Sequence, residues 1–189
     1  MLYGKGYIKD KILYVNFLIS AKSFYQTNPI QTEKLYSLAI NKANLKKDDI
    51  VLDCYCGIGT ISLILSKHVK QVVGVEIVKE AIKDANNNKK LNNITNVNFI
   101  CMDAKDYIIN NPFDVVFVDP PRKGLEKELI NRILKQNIKK IIYISCDPAT
   151  LSRDLFLLKE KYNIESVDCV DMFPFSFHVE TIVGLILKK

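Results

Sequence analysis

From Ile50 to the C-terminus, short apolar runs rich in Val, Ile and Phe alternate with polar stretches of helical length. This is the pattern of βα units, in which each parallel strand is buried on both faces and a helix carries the chain to its neighbour. Seven strands are predicted: Ile50 to Tyr55, Gln71 to Ile77, Val97 to Asp103, Phe113 to Asp119, Lys139 to Ser145, Glu165 to Phe173 and Glu180 to Leu187. Helices are predicted near Thr60 to Lys67, Lys79 to Leu91, Leu125 to Asn137 and Ala149 to Lys161, with a shorter turn after Asp103. Only a short aromatic link with Pro174, Phe173 to Val179, separates the last two strands, so they are expected to pair as a hairpin. The expected fold class is therefore α/β, a seven-stranded mostly parallel sheet with an antiparallel last strand and helices on both faces. Upstream, Pro29 to Asn44 reads as a helix capped by Asn28, with Pro29 at its first position. Leu2 to Ile19 reads as a hairpin turning around Lys9, Asp10 and Lys11. That hairpin has little core of its own, so residues 1–22 are expected to be the remnant of an upstream domain and 23–189 one α/β domain.

At 189 residues one core suffices, and 48% hydrophobic with 25% charged residues excludes a disordered chain. Lys plus Arg number 27 against 21 Asp plus Glu, and the formal charge of +6 suits a polyanionic partner. No apolar run approaches the ~18 residues of a membrane span, and Lys5, Lys9, Asp10 and Lys11 interrupt any leader core, so a cytoplasmic protein without membrane association is expected. The five cysteines are odd in number and lack paired CxxC spacing, which points to reduced thiols and no metal site. Cys101 and Cys169 fall inside strands and, like Cys54, are expected in the core.

Candidate chemistry starts at Asp53-Cys-Tyr-Cys-Gly-Ile-Gly-Thr60, a buried strand running through a glycine turn into a helix. Gly57 and Gly59 let a ligand lie against bare backbone, but Ser62 stands where a dinucleotide fingerprint needs its third glycine. Glu76, ending the second core strand, can accept hydrogen bonds from two ribose hydroxyls; Asp103, ending the third, can meet an adenine amino group. Asp53 adds a carboxylate that suits a cationic sulfonium better than a phosphate, and the ligand that fits is S-adenosylmethionine.

Asp119-Pro-Pro-Arg122 closes the fourth strand in a turn that cannot be a helix, and Arg122 suits a phosphate or an acceptor oxygen. Ser145-Cys-Asp-Pro148 ends the fifth strand and opens a helix whose dipole favours a Cys146 thiolate, opposed by Asp147. Glu180 begins the antiparallel strand where its parallel neighbours end, which lets it approach Cys146. His178 is read as structural and His68 as solvated on a helix end.

These runs, with Ser23-Phe-Tyr-Gln-Thr-Asn28 and Asp171-Met-Phe-Pro174 followed by His178-Val-Glu180, resemble the RNA uracil-5 methyltransferases, class I S-adenosylmethionine-dependent enzymes of Rossmann-like fold that make 5-methyluridine in transfer and ribosomal RNA. The resemblance extends from about Leu2 to the C-terminus. It implies Gln26, Tyr55, Glu76 and Asp119 as cofactor or base contacts, alongside Asp53, Gly57, Gly59, Thr60 and Asp103 at the cofactor. It further implies Gln26, Asp119 and Arg122 at the substrate, Cys146 as nucleophile and Glu180 as proton acceptor. RNA is the implied partner. Members of the family usually carry an upstream RNA-binding β-barrel and a central domain, some with an iron-sulfur cluster. Three readings stand beside this one: a cytosine-5 RNA methyltransferase, which normally places a Cys directly after a single Pro in the fourth-strand loop where Pro121 and Arg122 stand here, an adenine methyltransferase, which needs no thiol, and a cofactor-binding fragment without turnover.

Overall fold

The computed structural model describes residues 6–21, 23–108 and 112–189. Residues 2–5 of the expected hairpin and Lys22, its expected end, lie outside them. The chain order is β1 (Tyr7–Ile12), β2 (Val15–Ser20), α1 (Pro29–Ala43), β3 (Ile50–Cys54), α2 (Thr60–Leu65), β4 (Gln71–Glu76), α3 (Lys79–Leu91), β5 (Val97–Cys101) and α4 (Ala104–Tyr107). It continues with β6 (Val115–Val118), α5 (Lys127–Lys135), β7 (Lys140–Ser145), α6 (Pro148–Leu158), β8 (Tyr162–Val170) and β9 (Glu180–Leu187).

Strands β3 to β9 form one sheet in the order β5-β4-β3-β6-β7-β9-β8, in which only β9 runs against its neighbours. Side chains alternate between its two faces, as the period of two requires. Val51, Val72, Val115, Phe117, Ile142 and Ile144 enter one core with α1 and α2, whereas Leu52, Val73, Val116, Val118, Ile141 and Tyr143 enter the other with α5 and α6. The strand order reverses between β3 and β6, so a crevice opens beyond their carboxyl ends. No helix among the described residues is long and apolar enough to cross a membrane.

Three local expectations need correction. The β1–β2 turn falls at Leu13 and Tyr14, with Ile12 paired to Val15, and not at Lys9 to Lys11. This register sinks Ile12, Val15, Phe17 and Ile19 into the core of α1 and α2, while Glu33 accepts from Leu13 N and the Tyr14 hydroxyl donates to the Ile64 carbonyl. Strand β8 starts at Tyr162, three residues early, because that ring is buried opposite Leu187; it ends at Val170 because Met172 turns into the core. Cys101 and Cys169 are exposed, as they sit on β5 and β8, the two edge strands of the sheet. Cys54 is buried as expected.

Candidate active site

The loop after β3 is built by its glycines. Tyr55 stands at φ +64°, Gly57 at +53° and Gly59 at +83°, and Gly59 N bonds the Cys56 carbonyl at 2.8 Å. A side chain on Gly59 would run into the Phe99 ring at 2.4 Å, whereas one on Gly57 would meet open space. Gly59 is thus required by packing and conformation together, and Gly57 leaves room for a ligand against the backbone.

Register brings the candidate acids to one edge. Cys54 pairs with Val75 on one side and Val118 on the other, so the next positions, Tyr55, Glu76 and Asp119, emerge side by side at the crevice. Glu76 leans over the loop, accepting from Gly57 N at 3.4 Å and Val78 N at 3.0 Å. Asp103 caps α4 through Lys105 N at 3.1 Å and pairs its other oxygen with Lys105 Nζ at 3.2 Å. Asp53 lies beneath the loop, only 1% exposed; Oδ2 accepts from Ser62 Oγ at 2.5 Å and Oδ1 has no partner among the described residues. Desolvation pushes its carboxyl up to about 7, against the Ser62 hydrogen bonds and with help from Glu76. Asp119 is pushed up to about 8 by desolvation and then by the charges of Glu180 and Asp53.

At the next pair of strands, Ser145 of β7 faces Thr181 of β9, and one step further along the same register Cys146 faces Glu180. Residues 34 apart in sequence therefore meet because β9 is antiparallel. Glu180 is buried, and desolvation raises its carboxyl pKa while Arg122 lowers it. The thiol of half-buried Cys146 is raised by desolvation, then by Glu180 and Asp119, with Arg122 opposing. The expected helix-dipole stabilisation of its thiolate does not prevail. Asp147 caps α6 and takes the amide hydrogens of Ala149 and Thr150 at 3.0 and 2.9 Å, so its carboxylate already occupies the helix N-terminus.

The loop 119–125 is non-helical, as the two prolines require, and is closed by Gly124 N donating to the Pro121 carbonyl at 2.8 Å. Arg122 is exposed, with its guanidinium 3.5 Å from His178 Nε2. Gln26 is half-buried in the segment leading to α1, and Thr60 opens α2. His68 follows the end of α2, partly buried beside Tyr14, and burial lowers its pKa.

Two positions were missed by sequence reasoning. Asp154, fully buried on α6, accepts from Leu125 N and the Tyr143 hydroxyl, both at 2.7 Å, and pairs with Arg153; it pins the loop that carries Asp119 and Arg122. The available signal was its place three residues after Leu151 and four before Leu158, on the apolar face of the helix. Tyr36, buried on α1, has its hydroxyl pKa raised by desolvation and then by the charges of Asp119, Asp53, Tyr25 and Glu180.

The tRNA (uracil-5-)-methyltransferase family model matches residues 7–111 and 105–189. RNA methyltransferases of Lactobacillus johnsonii and Clostridium acetobutylicum, whose own characterisation is open, are 50% and 52% identical to this chain over 191 and 188 residues, covering 98% and 96% of it. The chain spans about 42% and 41% of their lengths. The solved tRNA (uracil-54, C5)-methyltransferase of Pyrococcus abyssi, in complex with S-adenosyl-L-homocysteine, superimposes with a TM-score of 0.86 at 34% identity, over 97% of this chain and 45% of that one. With the sheet order, the glycine loop and the Cys146–Glu180 edge already in place, these matches establish that the chain belongs to the tRNA (uracil-5-)-methyltransferase family.

Proposed function

We propose that this chain is the catalytic part of an enzyme that transfers a methyl group from S-adenosylmethionine to C5 of a uridine in RNA through a cysteine adduct. The observation that carries the reading is the Cys146–Glu180 pair, placed opposite each other by the β7–β9 register at the edge where Asp119 and Glu76 also emerge.

The residues fit the cofactor. Gly57 leaves open space against the backbone, Glu76 presents carboxylate oxygens to a ribose, and the unpartnered Asp53 Oδ1 offers a further acceptor oxygen beneath the loop. When bound, S-adenosylmethionine supplies an electrophilic methyl group. Uracil C5 is a poor nucleophile until its conjugation is broken, and that is the task of Cys146. Its thiolate adds to C6, and the C5–C6 π electrons move into an enolate ending at O4. Asp119 carries a proton at neutral pH and, with Gln26, can hold the base edge by hydrogen bonds while charge develops on O4. Once C5 bears the methyl group, Glu180 takes the C5 proton, the electron pair of that bond restores C5=C6, and the C6–S bond breaks to return the thiolate. Arg122, opposing the acids beside the thiol, favours the thiolate that starts the cycle. Reaching such a crevice requires a flipped or single-stranded base.

The test is methyl transfer from labelled cofactor to unmodified transfer and ribosomal RNA, with the modified nucleoside identified by mass spectrometry. 5-Methyluridine is expected; 5-methylcytidine or a methylated adenosine would overturn the reading.

A further inference from the structure

The link between β8 and β9, residues 171–179, holds aromatic side chains that the chemistry above does not use. Met172 anchors it: its side chain is buried, and its carbonyl accepts from Asn28 Nδ2 at 3.0 Å. The chain then folds into a tight turn in which Ser176 N and Oγ both donate to the Phe173 carbonyl, at 3.1 and 2.8 Å, and Ser176 Oγ accepts from His178 N at 3.2 Å. At the tip, Phe175 stands at φ +72°, a conformation uncommon for a bulky residue, and is 109% exposed; Phe177 is 91% exposed. The Phe177 and His178 rings lie 4.4 Å apart, and His178 Nε2 approaches the Arg122 guanidinium.

Because the link ends where Glu180 starts β9, this turn projects at the rim of the Cys146–Glu180 edge. Two exposed rings carried on a hydrogen-bonded turn offer their faces to a flat partner. An apolar protein surface covering them would also have to bury the neighbouring Arg122 cation, whereas a nucleic acid strand supplies a π-face for each ring and a phosphate for the cation. The chain's charge of +6 favours the same partner.

We infer that Phe175 and Phe177 form a stacking lip for a base adjacent to the target uridine in a single-stranded RNA segment, with Arg122 on the phosphate that joins the two nucleotides. This rests on the uridine reading above. The lip would hold the neighbouring base outside the crevice while the uridine alone enters it, giving the site a preference for unpaired flanks.

The experiment measures binding of the full chain to a fluorescein-labelled pentanucleotide RNA with one central uridine, by anisotropy, against the same strand with an abasic neighbour on either side. The Phe175→Ala/Phe177→Ala double variant should bind the intact strand about tenfold or more weakly, within the range of base–aromatic stacking. An abasic neighbour should cost the wild type a similar factor and cost the variant little. Affinity for S-adenosylmethionine, followed by calorimetry, should be unchanged in the variant. Equal binding of wild type and variant to the intact strand, with 5-methyluridine still formed, would remove the lip and leave the proposed reaction standing. Loss of self-association in sedimentation with unchanged RNA affinity would overturn it by assigning the rings to a protein contact. A wild type that binds cofactor but holds the intact and abasic strands equally would also overturn the lip.

Discussion

Asp119 and Asp53 are carboxyls held above their ordinary range, and the cause in both is first desolvation and then the charge of neighbouring acids. The consequence for stability has a definite sign. The folded chain keeps these protons at pH values where the unfolded chain has lost them, so their contribution is full below about pH 4 and is lost as pH rises through about 7 and 8. Replacing Asp119 by Asn should therefore raise the melting temperature of the ligand-free chain at pH 8.5, by about 2–4 °C for each kcal/mol of relieved repulsion, and leave it nearly unchanged near pH 4. Thermal scans across that window check this, and an offset of equal size at every pH would refute it. The same carboxyls tie stability to the site: what destabilises the empty crevice at high pH is the charge that a bound sulfonium would neutralise. Cysteine burial illustrates a limit at this scale, since Cys101 and Cys169 lie in strands as read from sequence yet face solvent. Residue type and local pattern identify a strand; they do not identify an edge strand, which is fixed by pairing order.

Among the elements, the β3–α2 loop and the β1–β2 hairpin show what local sequence can and cannot specify. The loop was legible because glycine has a conformational meaning: Gly57 and Gly59 both stand at positive φ. Structure adds that the two are not equivalent. Gly59→Ala combines a left-handed backbone, costing roughly 1–2 kcal/mol for an L-residue, with a clash against Phe99, so it should lower folding stability by more than that amount. Gly57→Ala meets no atom and should cost only about the backbone term, while a methyl group in the ligand's space weakens cofactor binding. Urea melts and calorimetry on both variants distinguish these outcomes; equal destabilisation would mean that Phe99 yields freely. The hairpin turn, by contrast, carries no Gly, Asn or Pro at Leu13 and Tyr14 and is fixed by Glu33 and the Ile64 carbonyl. A turn set by distant partners leaves no local signal, and the charged triplet at Lys9 to Lys11 drew the turn to the wrong place. Asp154 escaped notice for a related reason: one acid on a helix reads as solvated until the loop it holds is packed against it.

Over the whole molecule, the alternation of strands and helices was readable because each central strand is buried on both faces, and the antiparallel β9 followed from the shortness of the β8–β9 link. From that topology alone came the meeting of Cys146 and Glu180. What could not be read was the extent to which β1 and β2 share the main core, where Phe17 is fully buried with Leu35, Tyr36 and Ile61. Phe17→Ala should destabilise the whole unit by about 3–5 kcal/mol in one transition, seen as coincident loss of helical and aromatic circular dichroism; a separate early transition would make the hairpin an independent part. The central claim concerns covalent chemistry at the crossing of β7 and β9, and it is tested most directly by mixing S-adenosylmethionine and uridine-containing RNA with the Cys146→Ala and Glu180→Gln variants and resolving the products on a denaturing gel. Glu180→Gln should accumulate a protein–RNA adduct that contains the transferred methyl group, because the C5 proton cannot leave, and Cys146→Ala should form none. Normal turnover by Glu180→Gln, or an adduct that survives in Cys146→Ala, would contradict the account.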